Sequence, residues 1–328
     1  MDRLPGRANA HGTKFTVADF YKAGREKLCL DILSGAGAME QEIEEPTINR
    51  PGLALTGFFT DFARERVQVL GNADVSYLYS LSLEDRRSHV RDFLSRKPAL
   101  VVFTNGHRPP ESELRQADEF GIVTMTTPME TRFFTHQAFF VLDRLSAPRT
   151  TMYGTMIEVA GLGLLFEGAP GLGKSETALG LIKRGCALVA DDLTCLRKDS
   201  SSECIFGSAS ASTAGYIEIR GIGLMNVPKI FGVNSLRGEK RLDLVITFKP
   251  LDEVRDIVDR VEPSLSPKNI LGVKVPNILL PVSEGRDLVN LVETAVQQHK
   301  LQLEGHSSAD DLTRHMKERM APAGECKI

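Results

Sequence analysis

The chain has 328 residues, of which 40 are lysine or arginine and 43 are aspartate or glutamate, giving a formal net charge of −3. This near balance provides no overall positive field for a polyanion, so nucleic acid is not an expected partner. The five cysteines are scattered without a C-x-x-C pair, which argues against a disulfide framework or a zinc site. No run approaches the roughly 18 apolar residues of a membrane helix, and the first residues lack a signal-peptide pattern, so a cytoplasmic protein without membrane association is expected.

The first part of the chain has the pattern of a layered α/β domain. Between 16 and 145, short apolar β-rich runs alternate with amphipathic stretches. Thr16 and Asp19 have the spacing of a capping box that opens a helix. The pattern predicts strands at 27–33, 67–70, 99–104 and 122–126, and helices at 83–96, 110–120 and 131–145. Segment 146–152 has no periodicity, so we place the boundary there, between domains 1–148 and 149–328.

A second α/β unit is predicted after this boundary. A strand-rich run over 156–167 leads into a glycine-rich turn, which is followed by a helix at 176–184 and a short strand at 186–190. Further strands are predicted at 244–248 and 273–281. Apolar residues between 288 and 299 have helical spacing. Leu312, Met316 and Met320 recur every four residues and predict a last helix.

The turn after the strand-rich run fits the phosphate-binding pattern G-x-x-x-x-G-K-[ST], between a strand and a helix as the motif requires. Its glycines let backbone N–H groups point at a phosphate, and the helix N-terminus adds partial positive charge. Lys174 is expected to reach the outer phosphates and Ser175 to ligate Mg²⁺. A glycine-rich turn without a ligand is the alternative. The candidate nucleotide-binding residues are Gly168, Ala169, Pro170, Gly171, Leu172, Gly173, Lys174 and Ser175.

Two adjacent carboxylates follow the next predicted strand. Asp191 and Asp192 stand at its carboxyl end, where ligand groups lie in open α/β sheets. On a straight strand they point to opposite faces, so one of them can face the metal of the phosphate loop while the other faces elsewhere, unless the backbone bends after the strand. Asp191 is included among the candidate metal ligands. Lys174 and Asp191 are only 17 residues apart, which resembles phosphoenolpyruvate carboxykinase more than most P-loop NTPases. A solvated Asp-Asp turn is the alternative.

Four segments together closely resemble the bacterial HPr kinase/phosphorylase family. They are GLGKSETAL at 171–179, KRG at 183–185, LVADD at 188–192 and IEIRGIGLMN at 217–226. Further matches occur at 234–237, 258–260, 273–276 and 280–288, so the resemblance is strong over about 150–300. Residues 1–145 match only in general layout, as an α/β domain similar to part of the Mur ligases. The resemblance implies a homo-hexamer that phosphorylates a serine of the carrier protein HPr with ATP or pyrophosphate and removes the phosphate by phosphorolysis.

The resemblance also implies roles for individual residues. Lys174 corresponds to the lysine that cradles the phosphates, and Ser175 and Glu218 correspond to the Mg²⁺ ligands. Asp192 corresponds to a general base that accepts the serine proton as the phosphoryl group moves. Arg237 corresponds to an arginine that offsets charge on the transferring phosphoryl group, a task that suits a permanent forked cation.

The segment around Glu218 can also be interpreted without the resemblance. Alternating apolar and polar residues at 217–220 predict a strand, and Gly221 and Gly223 would allow a close backbone approach to a ligand. Glu218 and Arg220 share one face of that strand. An internal ion pair between them is therefore the structural alternative to a role in the site.

The chain departs from the family pattern at two positions. Tyr153 stands where the family has a histidine before the phosphate loop, and Glu262 stands where a glycine is usual. A phenol cannot carry the positive charge of a protonated imidazole. We therefore include Tyr153 among the candidate catalytic residues and expect kinase activity to exceed phosphorylase activity.

The sequence therefore predicts a Mg²⁺-dependent protein serine kinase with phosphorylase activity that regulates carbon metabolism. Two alternatives remain open at this point. A small-molecule kinase of the same fold would turn over ATP with metabolites and would not act on HPr. A non-catalytic sensor would bind ATP or phosphate without transfer.

Overall fold

The computed structural model describes residues 14–200, 202–254 and 266–305. The chain divides into two compact units that meet in the sequence at Pro148 and Arg149. Three features considered from the sequence lie outside the described residues: the helix predicted around 312–320, the matching segment 258–260, and Glu262.

The first unit is a five-stranded sheet with helices. The strands are β1 (Asp31–Ser34), β2 (Ile48–Asn49), β3 (Val67–Leu70), β4 (Leu100–Phe103) and β5 (Thr124–Thr126). Strands β2 to β5 are parallel, and β1 pairs antiparallel with β5, giving the order β1-β5-β4-β3-β2. The helices are α1 (Val17–Gly24), α2 (Gly52–Leu55), α3 (Asn72–Ser80), α4 (Leu83–Ser95), α5 (Glu111–Phe120) and α6 (Thr131–Ser146).

Two apolar clusters form the core of this unit, as expected for a sheet buried on both faces. The predicted capping box is present, because the Asp19 backbone N–H donates to the Thr16 hydroxyl and the Thr16 N–H donates to the Asp19 carboxylate. The strand predicted at 27–33 was placed too early. Cys29 has a φ of +48° in a turn, so the strand begins only at Asp31.

The second unit contains more strands. They are β6 (Arg149–Tyr153), β7 (Thr155–Val159), β8 (Leu162–Glu167), β9 (Ala187–Ala190), β10 (Leu193–Lys198), β11 (Ile205–Ser208), β12 (Tyr216–Ile219), β13 (Gly223–Asn226), β14 (Lys240–Arg241), β15 (Leu244–Pro250), β16 (Lys268–Ile270), β17 (Val273–Val275) and β18 (Asn277–Val282). The α-helices are α7 (Lys174–Lys183), α8 (Val227–Phe231) and α9 (Leu288–Leu303), and 3₁₀ turns occupy Val233–Ser235 and Leu251–Glu253.

The main sheet of this unit has the order β18-β15-β8-β7-β9. β18, β15 and β8 are parallel, whereas β7 pairs antiparallel with both β8 and β9. The carboxyl ends of β8 and β9 and the start of β7 therefore lie at one edge of the sheet. The phosphate loop, the Asp191–Asp192 pair and Thr155 all lie at this edge.

A second, antiparallel sheet has the order β14-β11-β10-β6. The chain passes from this sheet into the main sheet at Gly154, between β6 and β7. It returns from the main sheet through Asp191 and Asp192, between β9 and β10. The Gly154 backbone N–H donates to the Asp192 carbonyl at 2.9 Å, and the Thr194 hydroxyl donates to the Gly154 carbonyl at the same distance. These two hydrogen bonds hold the two connections between the sheets next to each other.

Two of the predicted strands are each divided in the structure. The run predicted at 156–167 is a hairpin of β7 and β8, because Ala160 and Gly161 take φ values of +50° and +87° and reverse the chain. The strand predicted at 273–281 is interrupted at Pro276. Its first part, β17, pairs with β16, and its second part, β18, joins the main sheet.

Candidate functional site

The phosphate loop lies between β8 and α7, where the motif predicted it. Gly168, Gly171 and Gly173 have φ values of +147°, +86° and +83°, in the region that favours glycine. At Gly168 a Cβ would also lie 2.6 Å from the Phe248 carbonyl oxygen. α7 begins at Lys174, two residues earlier than predicted, so the lysine and Ser175 form the first turn of the helix.

The Lys174 ammonium lies across the turn that precedes it. Its Nζ donates to the Gly168 carbonyl at 2.9 Å and to the Ala169 carbonyl at 3.0 Å. The positive charge is therefore held over the loop, where the backbone N–H groups and the start of α7 also favour an anion.

Asp191 is the centre of a hydrogen-bond network at the sheet edge, and its side chain is buried. Its Oδ1 accepts from the Thr155 hydroxyl at 2.7 Å and from the Ser175 hydroxyl at 3.0 Å. Its Oδ2 accepts from the Glu218 backbone N–H at 3.0 Å. One carboxylate thus joins β7, the phosphate loop and β12.

Asp192 has a different environment from its neighbour. Its φ is +64°, so the chain turns out of β9 at this residue, and its side chain is exposed. Asp is among the residues that tolerate this conformation, which the Gly154 hydrogen bond to its carbonyl helps to hold. The two carboxylates therefore differ in exposure: Asp191 is buried and Asp192 is exposed.

The segment singled out around Glu218 forms the antiparallel hairpin of β12 and β13. Ile217 and Ile219 are buried, whereas Glu218 and Arg220 are exposed, which is the predicted alternation. Glu218 and Arg220 form no ion pair in the part of the chain that the structure describes. The alternative interpretation, an ion pair between these two side chains, is therefore wrong for this structure.

These elements enclose a cavity of about 680 Å³. Six of the candidate site side chains line it, and Pro170 and the loop glycines complete its base, whereas Ala169 and Leu172 are not among its lining residues. Tyr153 stands at its rim and is 79% exposed. The six side chains are Tyr153, Lys174, Ser175, Asp191, Asp192 and Glu218.

Arg237 does not line this cavity. Its Nε and Nη2 donate to the Glu158 carboxylate at 3.3 and 3.4 Å, near the opposite end of β7, and its Nη1 donates to two backbone carbonyls. Lys240 also contacts Glu158, at 2.9 Å. Burial alone would raise the pKa of Glu158, but Lys240 and Arg237 together lower it below its ordinary value.

Sequence reasoning missed two residues of the site. Thr155 carries no motif, and only the pairing of β7 with β9 brings its hydroxyl to Asp191. Arg220 was considered only as an ion-pair partner of Glu218, yet it lines the cavity. The period-two alternation had already placed Arg220 on the same face as Glu218, and that was the signal that could have added Arg220 to the candidate site.

The donor set suits a magnesium ion bound together with phosphates. Mg²⁺ prefers oxygen ligands and is usually held by one or two protein groups plus substrate oxygens. Because the Ser175 hydroxyl donates a hydrogen bond to Asp191, the lone pairs of its oxygen are left for a cation, and the exposed Glu218 carboxylate lines the same cavity. Among the described residues, no three His, Cys, Asp or Glu side chains cluster as a self-sufficient metal site.

No helix in the described ranges is long and apolar enough to cross a bilayer.

Comparison with known proteins covers both units. Residues 15–142 match the family described as HPr Serine kinase N terminus, and residues 144–316 match HPr Serine kinase C-terminal domain. The HPr kinase/phosphorylase of Leptospira biflexa is 39% identical over 89% of this chain and 90% of its own length. That of Caldicellulosiruptor bescii is 36% identical over 89% of this chain and 93% of its own. The solved HPr(Ser) kinase/phosphatase from Coxiella burnetii is 34% identical, covering 51% of this chain and 98% of that one, with a TM-score of 0.45.

The two-domain, mixed α/β fold and the matches to kinase domains in both units define a phosphotransferase. The chain belongs to the HPr kinase/phosphorylase family, which confirms the resemblance noted from its motifs.

Proposed function

We propose that this protein transfers a phosphoryl group from ATP to a serine of HPr and removes it again by phosphorolysis. The observation that carries the proposal is the single cavity in which the phosphate loop, a buried and an exposed aspartate, and the Glu218 hairpin meet. Family membership supports HPr as the protein substrate and a role in regulating carbohydrate metabolism. Pyrophosphate is an alternative donor, since its phosphates can occupy the same loop.

Binding of the donor falls to the phosphate loop. The loop N–H groups and the start of α7 face the phosphates, and Lys174 exchanges its two carbonyl contacts for phosphate oxygens. A phosphate dianion binds an ammonium group more strongly than neutral carbonyls do, so this exchange is favourable.

Ser175 and Glu218 would hold the Mg²⁺ ion, which when bound neutralises charge on the donor phosphates. Asp191 was expected among the metal ligands, and both of its oxygens already receive hydrogen bonds here. This pattern supports a positioning role, in which Asp191 accepts the hydrogen bond of the Ser175 hydroxyl and so turns the lone pairs of its oxygen toward the cavity.

Asp192 is the proposed general base. A serine hydroxyl is a weak nucleophile at neutral pH, and a carboxylate within hydrogen-bond reach accepts its proton as the phosphoryl group arrives. Its exposure in the cavity supports this role, because the substrate serine must approach from solvent. In phosphorolysis the same carboxylic acid returns the proton to the serine oxygen.

Tyr153 and Arg237 complete the proposed set on different grounds. Tyr153 can donate one hydrogen bond to a phosphate oxygen at the rim of the cavity but brings no positive charge. Arg237 enters through the family resemblance alone, since its guanidinium here contacts Glu158. The resemblance further supports a homo-hexamer in the cytoplasm, a first domain similar to part of the Mur ligases and a second similar to phosphoenolpyruvate carboxykinase.

The deciding experiment measures both directions with purified components. The protein is incubated with HPr, Mg²⁺ and ATP, and separately with phosphoserine-HPr and inorganic phosphate, and HPr is followed by intact mass. Transfer to HPr that is lost when its acceptor serine is replaced by alanine supports the proposal. ATP turnover with small metabolites only, or nucleotide binding without any transfer, would refute it.

A further inference from the structure

Arg220 follows β12 directly, in the turn of the hairpin, and lines the phosphate cavity. Its Nη1 and Nη2 atoms each lie 3.7 Å from the point that a Cβ on Gly171 would occupy. The guanidinium therefore lies against the middle of the phosphate loop, on the side open to the cavity. Gly171 has no side chain to separate the two.

No hydrogen bond or ion pair engages the Arg220 guanidinium anywhere in the described ranges. Arg237, by contrast, is bound to the Glu158 carboxylate and to two carbonyls outside the cavity. The Arg220 guanidinium therefore has no direct partner among the described residues, whereas Arg237 is paired with Glu158. The carboxylates that line the same cavity do not contact it; they are Glu176, Asp191, Asp192 and Glu218. An exposed arginine gains little from lying beside a glycine turn, so a phosphate ligand would account for its position.

We propose that Arg220 binds the outer phosphates of the donor and stabilises the phosphoryl group during its transfer. This inference rests on the proposed function. In the forward step the bond between the γ-phosphorus and its bridging oxygen breaks, and its electron pair goes to the β-phosphate. The serine oxygen forms the new bond to phosphorus and its proton passes to Asp192. Arg220 contacts the negative oxygens of the phosphoryl group while it passes from the donor to the serine. The planar guanidinium can bind two of these oxygens at once.

The reverse reaction uses the same contact. An oxygen of inorganic phosphate attacks the phosphoserine phosphorus, pyrophosphate forms, and the serine oxygen takes back the proton from Asp192. Two anions are brought together in this direction, so a cation between them matters more than in the kinase step. Because Tyr153 provides no charge at the rim, Arg220 is the second cation, beside Lys174, that the described cavity offers.

The test compares Arg220→Ala and Arg220→Lys with Arg115→Ala, which removes an exposed arginine of α5 paired with Glu111. We expect Arg220→Ala to lower HPr kinase turnover by about 10²- to 10³-fold and to weaken pyrophosphate binding by about three- to tenfold, measured by calorimetry. Arg220→Lys should retain an intermediate rate, since it keeps the charge but loses the fork. Added guanidinium should restore part of the turnover of Arg220→Ala but none to Asp192→Asn.

The outcomes separate this inference from the proposed function. If wild-type protein transfers nothing to HPr, the proposed function fails, and pyrophosphate affinity alone then decides the role of Arg220. Turnover and pyrophosphate affinity of Arg220→Ala equal to those of Arg115→Ala would overturn the inference. Thermal denaturation of each variant identifies any loss that comes from unfolding.

Discussion

The Ser175 hydroxyl donates a hydrogen bond to the buried Asp191 carboxylate, with 3.0 Å between Oγ and Oδ1. Because the same carboxylate accepts from Thr155 and from the Glu218 N–H, it links the phosphate loop to two strands. The serine is consequently fixed in orientation before any ligand arrives. Asp191 should matter for stability as well as for metal binding.

Replacing Asp191 with alanine should lower the free energy of unfolding by about 3 kcal/mol or more, because three donors lose a charged acceptor at a buried position. Urea denaturation measures this change. Asp192→Asn is the matched control, since that side chain is exposed and asparagine tolerates its positive φ. It should change stability by less than about 0.5 kcal/mol. Equal losses in the two variants would contradict the assignment of Asp191 as the centre of the network.

Asp192→Asn should greatly reduce catalysis although it hardly changes stability. The amide keeps the shape of the side chain but cannot accept the serine proton. Transfer to HPr should therefore fall by roughly 10²- to 10⁴-fold while nucleotide affinity stays nearly intact. Steady-state kinetics and equilibrium ATP binding give the two values. If Asp191→Asn is the slower variant and keeps its metal affinity, the two aspartates have been assigned in the wrong order.

Tyr153→His should raise the phosphorylase rate more than the kinase rate. Tyr153 stands exposed at the rim of the cavity, so the exchange leaves the core untouched. A protonated imidazole adds positive charge where two anions meet in phosphorolysis, and this gain should increase toward low pH. Both directions are measured across about pH 5.5 to 8.5. Equal gains in both directions, or a wild-type phosphorylase as fast as the kinase, would show that this position does not set the direction.

Glu158 should make stability depend on pH. Its pKa is lowered in the folded protein by Lys240 and Arg237 against the opposing effect of burial, so the folded state favours the ionised form. The resulting stabilisation is complete above its ordinary value of 4.5 and is lost as the pH falls through the lowered value. Wild type should therefore be more stable than Glu158→Gln at neutral pH, and this difference should shrink below pH 4.5.

Glu119→Gln, which changes an exposed glutamate of α5, controls for the loss of a carboxylate as such. Urea denaturation of wild type, Glu158→Gln and Glu119→Gln, each at neutral pH and below pH 4.5, gives the comparison. A difference between wild type and Glu158→Gln that stays constant with pH would show that ionisation of Glu158 does not contribute to stability.

Local patterns predicted much of this fold because they depend on neighbouring residues. The strand Val67–Leu70 was predicted at its exact bounds, and α4, α5 and α6 within one residue at each end. The phosphate loop followed from its own eight residues. The errors occurred where a single residue changes the chain direction, as at Cys29 with its positive φ and at Pro276 between two strands.

The candidate site was less predictable, since much of it depends on pairing between distant segments. Nothing next to Thr155 in the sequence indicates that β7 runs antiparallel beside β9 and brings its hydroxyl to Asp191. Motif matching indicated Arg237 as the arginine of the site, whereas the structure places the Arg220 side chain at the cavity and Arg237 beside Glu158. Contacts of this kind depend on which segments become neighbours in the fold. The alternation of apolar and polar residues along one strand carries no information about its neighbours.

The shared crossing at Gly154 and Asp192 bears on how the domain folds. Residues 153–192 form one continuous segment that contains the β7–β8 hairpin, the phosphate loop, α7 and the return strand β9. Their mutual contacts therefore join residues close in sequence, and closing such short loops costs little chain entropy. We expect the lysine, the serine and both aspartates to be brought together early in folding. Glu218 and Arg220 join them when the later β12–β13 hairpin docks, so the phosphate loop and the two aspartates come together before the cavity is complete.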